Sequence, residues 1–350
     1  MPYLFLYIIC ILFLVLSQIV NTKYRKTCIQ FVFLFLALFS GLRDNVGIDY
    51  STYVELFDDA IKGNEVEIKE YGFVLLMRFI GLIGGTKQLL FLVCSIITNV
   101  FFYKFIIRLD PKYYFGATLV YITVGPFYLT SLNLIRQYVA MGIFIYSITF
   151  IQQRKFIRYA VALLLAGFCF HLSVLLFIPL YFILCRKIKW ISKLELFLVF
   201  TVGSKIFIYF ISLTPFGVYL NMIFSPPSLF LVILFGSISL YFIYKEAKSD
   251  FNEDYRVFFN MNFFSFLLLS LLAVNNGFLS ELILRMNNYF MLSMIFLIPY
   301  IVYEQKKQIS KISYAYFLLF FLSIYFFKNS ILDGESISLL PYDIDINLFY

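Results

Sequence analysis

The chain has 350 residues, of which 62% are apolar, 21% aromatic and 14% charged, whereas an average soluble domain is about 45–50% apolar and about 25% charged. A soluble globular protein is excluded. So is a soluble catalytic domain or nucleotide-binding cassette, because no stretch between the apolar runs exceeds the 28 residues from Arg43 to Glu70. The net charge of +8 has three sources to choose among, nucleic acid, anionic lipid or membrane orientation, and the placement of the charges decides for the last.

The pattern predicts an all-α polytopic membrane protein with about twelve transmembrane helices, since each crossing takes roughly 20 residues. Run 2–20 opens the chain. It lacks a basic region before it and ends in Asn21-Thr22-Lys23-Tyr24 rather than a small-residue cleavage site, so it is expected to be a retained helix and not a signal peptide. Run 28–42 follows, then a polar loop over 43–70 with eight acids against three cations. The segment at 71–84 is short and carries Arg78, and it is expected to be re-entrant or interfacial. Runs 87–107, 113–131 and 133–151 are single crossings. Run 159–185 has basic connectors at both ends and is expected to fold as two short helices turning near Phe170-His171-Leu172-Ser173. Runs 194–213, 229–244, 257–276, 280–303 and 314–329 complete the twelve. Residues 1–329 are thus one transmembrane helical domain, and 330–350 form a tail.

Six connectors hold 18 of the 28 cations: Lys23/Arg25/Lys26, Arg108/Lys112, Arg154/Lys155/Arg158, Arg186/Lys187/Lys189/Lys193, Lys245/Lys248/Arg256 and Lys306/Lys307/Lys311. Cytoplasmic loops collect Lys and Arg. The loop 43–70, the uncharged loop 214–228 and the tail, with four acids and no cation, are therefore expected outside, as are both termini. Expected localisation is a cytoplasmic membrane, multi-pass, with the chemistry facing outward.

Ionisable groups at membrane depth are costly, about 2.5–3.5 kcal/mol on insertion scales, so they pair or work. Arg43, Arg78, Arg136 and Arg285 all fall on the outer side. Clustered guanidiniums suit a diphosphate, which they grip bidentately and with permanent charge. Arg285 has Glu281 one turn before it, so a helix-face ion pair is the alternative there. Arg136 has no acid within four residues. Arg78 and Lys205 read more simply as structural or snorkelling side chains. His171, the one histidine of the chain, falls at the outer turn, where an imidazole of near-neutral pKa serves as general base. Five cysteines without a CxxC pair, no HExxH and no second histidine argue against a disulfide framework or metal site, and 81–85 is no phosphate-cradling loop. No cofactor, metal or nucleic acid is expected. Asp44 or Asp49 pairing with Arg43, and Gly47 supplying a positive-φ turn, are the bland readings of the loop.

The run Gly41-Leu42-Arg43-Asp44-Asn45-Val46-Gly47-Ile48-Asp49-Tyr50, with Tyr53 beyond it, resembles the signature loop of the EpsG family, relatives of the Wzy polysaccharide polymerases. Leu42 stands where the family commonly has Phe. Glu70-Tyr71-Gly72, Ile135-Arg136-Gln137, Phe170 to Ser173, Arg285 with Tyr289, and Pro341-Tyr342 follow in the expected order. The resemblance implies a polymerase joining undecaprenyl-diphosphate-linked oligosaccharides into capsule, exopolysaccharide or O-antigen at the outer face of a bacterial membrane. Donor and acceptor glycans, membrane lipid and a chain-length regulator would be its partners. In that picture Arg43, Arg136 and Arg285 bind the diphosphate, and His171, Asp49 or Glu70 is the base. Gly47, Tyr50, Tyr53 and Gln137 bind substrate or shape the loop. The rival functions are a flippase for the lipid-linked sugar and a membrane O-acyltransferase.

Overall fold

A computed structural model of the chain describes residues 2–66, 68–124, 126–213, 229–248, 252–275, 280–304, 313, 319–324, 326–328, 330 and 338–349. The uncharged loop 214–228, the connector Lys306/Lys307/Lys311, residues 314–318, 325 and 329 of the run 314–329, and the tail acids Asp333 and Glu335 lie outside them. Contacts divide the chain into two compact units: Met1–Phe150, Lys155–Ile178 and Ile298–Tyr350 in one, Ile151–Arg154 and Pro179–Leu297 in the other.

The first unit is built on α1 (Pro2–Ile19), α2 (Thr22–Gly41), α3 (Tyr50–Lys62), α4 (Tyr71–Leu82), α5 (Lys87–Ile106), α6 (Tyr114–Thr123), α7 (Ile135–Gln152) and α8 (Phe156–Cys169). In α1 the buried residues Tyr3, Leu6, Tyr7, Cys10, Leu14 and Ser17 recur at three- and four-residue steps, which lays one stripe along α2. Between α2 and α5 small polar residues replace bulk. Ser40 and Ser95 share a hydrogen bond, Ser95 Oγ donates to Ala37 O at 2.8 Å, and a Cβ on Gly41 would stand 2.8 Å from Leu92 Cα. Close backbones tied by hydroxyls are how helices associate where burial of apolar surface gives no driving force.

The second unit holds α9 (Tyr181–Leu184), α10 (Trp190–Leu198), α11 (Ser204–Ser212), α12 (Leu229–Ala247), α13 (Arg256–Val274) and α14 (Ser280–Met291); α15 (Met294–Tyr303) runs from it back into the first. A π turn, Val199–Gly203, joins α10 to α11. Asparagines stitch this unit: Asn262 Nδ2 donates to Phe235 O and Ser239 Oγ, Asn275 to Ser204 Oγ, and Ser265 Oγ to Asn287 Oδ1.

The chain is a helical membrane protein. Among the described residues four helical stretches are long and apolar enough to cross a bilayer: Pro2–Ile19, Lys87–Ile106, Arg256–Val274 and Ile283–Tyr303. Tyr71–Leu82 is a helix of 12 residues, under the length of a crossing. The expected second helix after His171 takes another form: a 3-10 segment, Leu172–Phe177, and the single turn α9. His171 is extended (φ −158°), which ends α8, and Pro179 offers no backbone donor.

Candidate functional site

Three turns of the first unit meet around Glu70. It precedes α4 and is 7% exposed, a burial a carboxylate tolerates only when charge-paired. Its Oε2 accepts from Arg136 Nη1 at 2.8 Å. Its Oε1 lies 3.5 Å from His171 Nδ1 and accepts from the Leu172 amide at 3.3 Å. Each partner comes from a helix end. Arg136 is the second residue of α7, while His171 and the Leu172 amide belong to the break after α8.

Helix α4 reaches this place because Gly72 lies on α8: a Cβ there would meet Cys169 Cα at 2.6 Å. Arg136 is roofed by aromatic rings, its Cζ 5.8 Å from the centroids of both Tyr53 and Phe73. Its Nε is buried and meets no acceptor among the described residues. Burial raises the Tyr53 phenol above its ordinary pKa, and the neighbouring Arg136 charge works the other way. Asp49, half-buried at the start of α3, acts on the same phenol electrostatically. Gln137 is buried at 3% exposure.

The signature loop is a second, adjoining structure. Arg43 is 2% exposed, and its fork is spent on main-chain carbonyls: Nε on Val46 O at 3.0 Å, Nη2 on Leu132 O at 2.9 Å, and Nη1 on Ser40 O. Phe91 lies 4.9 Å beneath its Cζ. Gly47 has φ +108°, and a Cβ there would stand 2.7 Å from Leu132 O and 2.8 Å from Asn133 Oδ1; only glycine fits. The Ile48 amide donates to Asn133 Oδ1 at 2.9 Å. Asp44 does not pair with Arg43; it accepts from Tyr50 OH at 2.6 Å and lies 3.7 Å from Lys87. Tyr50 stacks on Phe91 at 4.7 Å.

The structure thus brings Glu70, Arg136, His171 and Tyr53 together, with Asp49 in electrostatic reach, and sets Arg43, Gly47 and Tyr50 in the loop beside α7. Arg285 lies on α14 of the second unit, exposed; the side chain of Glu281 lies outside what is described. Arg78 is exposed on α4.

Two groups escaped the sequence reading. Asn133 looks like an ordinary polar residue ahead of a helix, yet it holds the loop. Lys193 and Arg256, counted among the basic connectors, are 2% and 3% exposed and share Glu246, whose carboxylate accepts from both. The signal was a lone acid, Glu246, inside the basic stretch 245–248.

In this many-helix membrane protein the buried Glu70 carboxylate, the Arg136 guanidinium and the His171 imidazole converge from three helix ends. The family model described as EpsG family matches residues 26–344, nearly the whole chain. The protein belongs to the EpsG family, a Wzy-like polymerase family associated with polysaccharide polymerisation. No curated protein and no solved structure matches it.

Proposed function

We propose that the protein polymerises undecaprenyl-diphosphate-linked oligosaccharides into cell-surface polysaccharide, by glycosyl transfer at the outer face of the cytoplasmic membrane. The observation that carries this reading is the single carboxylate of Glu70 facing Arg136 on one oxygen and His171 on the other.

In this reading Glu70 is the orienting group. With its carboxylate on Nδ1, Nε2 becomes the nitrogen of His171 that takes a proton. Removal of that proton from an acceptor sugar hydroxyl lets the oxygen attack the donor's anomeric carbon, and the C–O bond to the diphosphate breaks with its electron pair going to the diphosphate oxygen, so that lipid diphosphate leaves. Arg136 spends Nη1 on Glu70 and offers its other terminal nitrogen, Nη2, to that diphosphate, where charge grows as the bond breaks. The energy comes from the leaving group, so no nucleotide is required. Arg43, with its fork already on carbonyls, serves by shaping the loop. Arg285 enters as a second diphosphate ligand through the family resemblance rather than through contact, and Asp49 is the alternative base.

The test is replacement of His171 by Ala in cells supplied with the lipid-linked substrate. Chain extension is expected to stop while single units still reach the outer leaflet. Units stranded on the inner leaflet would instead mark a flippase. A catalytic His171 mapped to the cytoplasmic side would favour an O-acyltransferase.

A further inference from the structure

The Pro341-Tyr342 pair has no task in the chemistry just described, yet the segment around it is built onto the signature loop. Residues 343–344 pair antiparallel with 43–44, Arg43 opposite Ile344 and Asp44 opposite Asp343. The Asp345 amide donates to Leu42 O at 2.9 Å, and the Gly47 amide to Ser338 O at 2.7 Å. Farther along, the Thr86 amide donates to Leu348 O at 2.9 Å, and Gly85 bridges to Phe349. Tyr342 is the anchor. Its ring stacks on Phe39 at 4.3 Å and meets Tyr3 edge-on at 5.5 Å, and its hydroxyl donates to Phe39 O.

Because 338–349 holds the loop from one side and Leu132–Asn133 receives it on the other, we propose that this strap is a working part of the site and that Tyr342 is a positioning residue. The path is continuous. The strap fixes Leu42 to Gly47, Gly47 seats on Leu132 O and Asn133 Oδ1, and Arg136 lies one turn further along. The same loop runs into Asp49 and Tyr53. A two-residue ladder is too short to persist unaided, so the loop's order depends on the ring cluster that pins the strap. What the loop serves rests on the proposed polymerase function; that the strap orders it does not.

Hydrogen exchange on the full-length protein in detergent tests this directly. In Tyr342→Ala, amides of 42–48 and 133–136 are expected to exchange about tenfold faster, the order of change that follows from losing two ring pairs, while α13 keeps its protection. Tyr342→Phe, which retains the rings, is expected to stay near wild type. Unchanged exchange at 42–48, or an equal rise in α13, would overturn the proposal. Should Tyr342→Ala fail to accumulate, Asp345→Pro, which removes the donor to Leu42 O, is judged by the same two outcomes. Polymer yield in complemented cells is read alongside: a strap that orders the loop in a protein that makes no polymer would sink the function and leave this inference standing.

Discussion

At single residues, the site is governed by how its buried charge is paired. Glu70 neutralises Arg136 in a setting where its own side chain is 8% and that of Arg136 20% exposed. Glu70→Gln preserves shape but leaves a partly buried guanidinium without its carboxylate. Loss of one such partner costs about 1–3 kcal/mol, so a lower melting temperature is expected in a thermal shift assay in detergent, together with loss of polymer. A mutant as stable and as active as wild type would remove Glu70 from the account. Glycines give a sharper contrast. Gly47 and Gly63 both have positive φ, but a Cβ at Gly47 collides with Leu132 and Asn133 whereas one at Gly63 meets nothing within 4 Å. A left-handed conformation alone costs an ordinary residue about 1–2 kcal/mol. Gly63→Ala is therefore expected to support near-normal polymer synthesis and Gly47→Ala to abolish it at equal protein abundance, as judged by immunoblot and gel of the polysaccharide.

At the scale of elements, the site depends on helix ends rather than helix middles. Helices α4, α7 and α8 each contribute a residue from a terminus, where the backbone turns and a side chain or an amide such as that of Leu172 is available. In this region Gly72 packs against the backbone of Cys169, whose Cα would lie 2.6 Å from a Cβ at Gly72. Because the obstruction includes the Cα of Cys169, shortening that side chain does not relieve it. Gly72→Ala is expected to push α4 off α8 and impair polymer synthesis, and Cys169→Ala is expected not to rescue it; rescue by the double variant would contradict the packing argument. This is also why part of the candidate site stands out in the sequence. Glu70, Arg136 and His171 stand out as polar groups at the edges of apolar runs, and run edges become helix ends. Their mutual contact was not readable, because it depends on how α4, α7 and α8 pack, and one chain's periodicity carries no such information. The 3-10 form of 172–177 was hidden for a related reason: its composition matches that of a helix, and the break comes from the extended backbone at His171. Arg43 shows the limit of residue type as a guide. Its residue type suits a phosphate clamp, but a guanidinium at the end of α2 is equally suited to gathering carbonyls, and here it gathers three.

At the scale of the whole molecule, composition settled the class, since 62% apolar residues leave a membrane protein as the outcome, and the family match over residues 26–344 agrees with the motif order. The number of crossings depends on lengths at their margin. Helices of 12 and 14 residues, such as α4 and α8, fall below the roughly 17 usually needed, and their fate in a bilayer is set by packing and lipid rather than by hydropathy. The proposed sidedness places the acidic loop 43–70 outside. Single cysteines introduced at exposed Asn45 or Gly63 are expected to react with an impermeant maleimide added to intact cells, and ones introduced near Lys155 only after the membrane is opened. The opposite pattern would put the site on the wrong side of the membrane for surface polymer synthesis.

In the proposed function Glu70, Arg136 and His171 join lipid-linked units into polymer. This is read from the profile of lipid-linked glycans in a deletion strain complemented with wild type, Glu70→Gln or Arg136→Lys protein, each confirmed at equal abundance in the membrane. Single repeat units are expected to accumulate with both variants, as in the uncomplemented deletion, while wild-type protein restores long chains. Wild-type chain lengths in the deletion strain, or in both variants, would contradict the account.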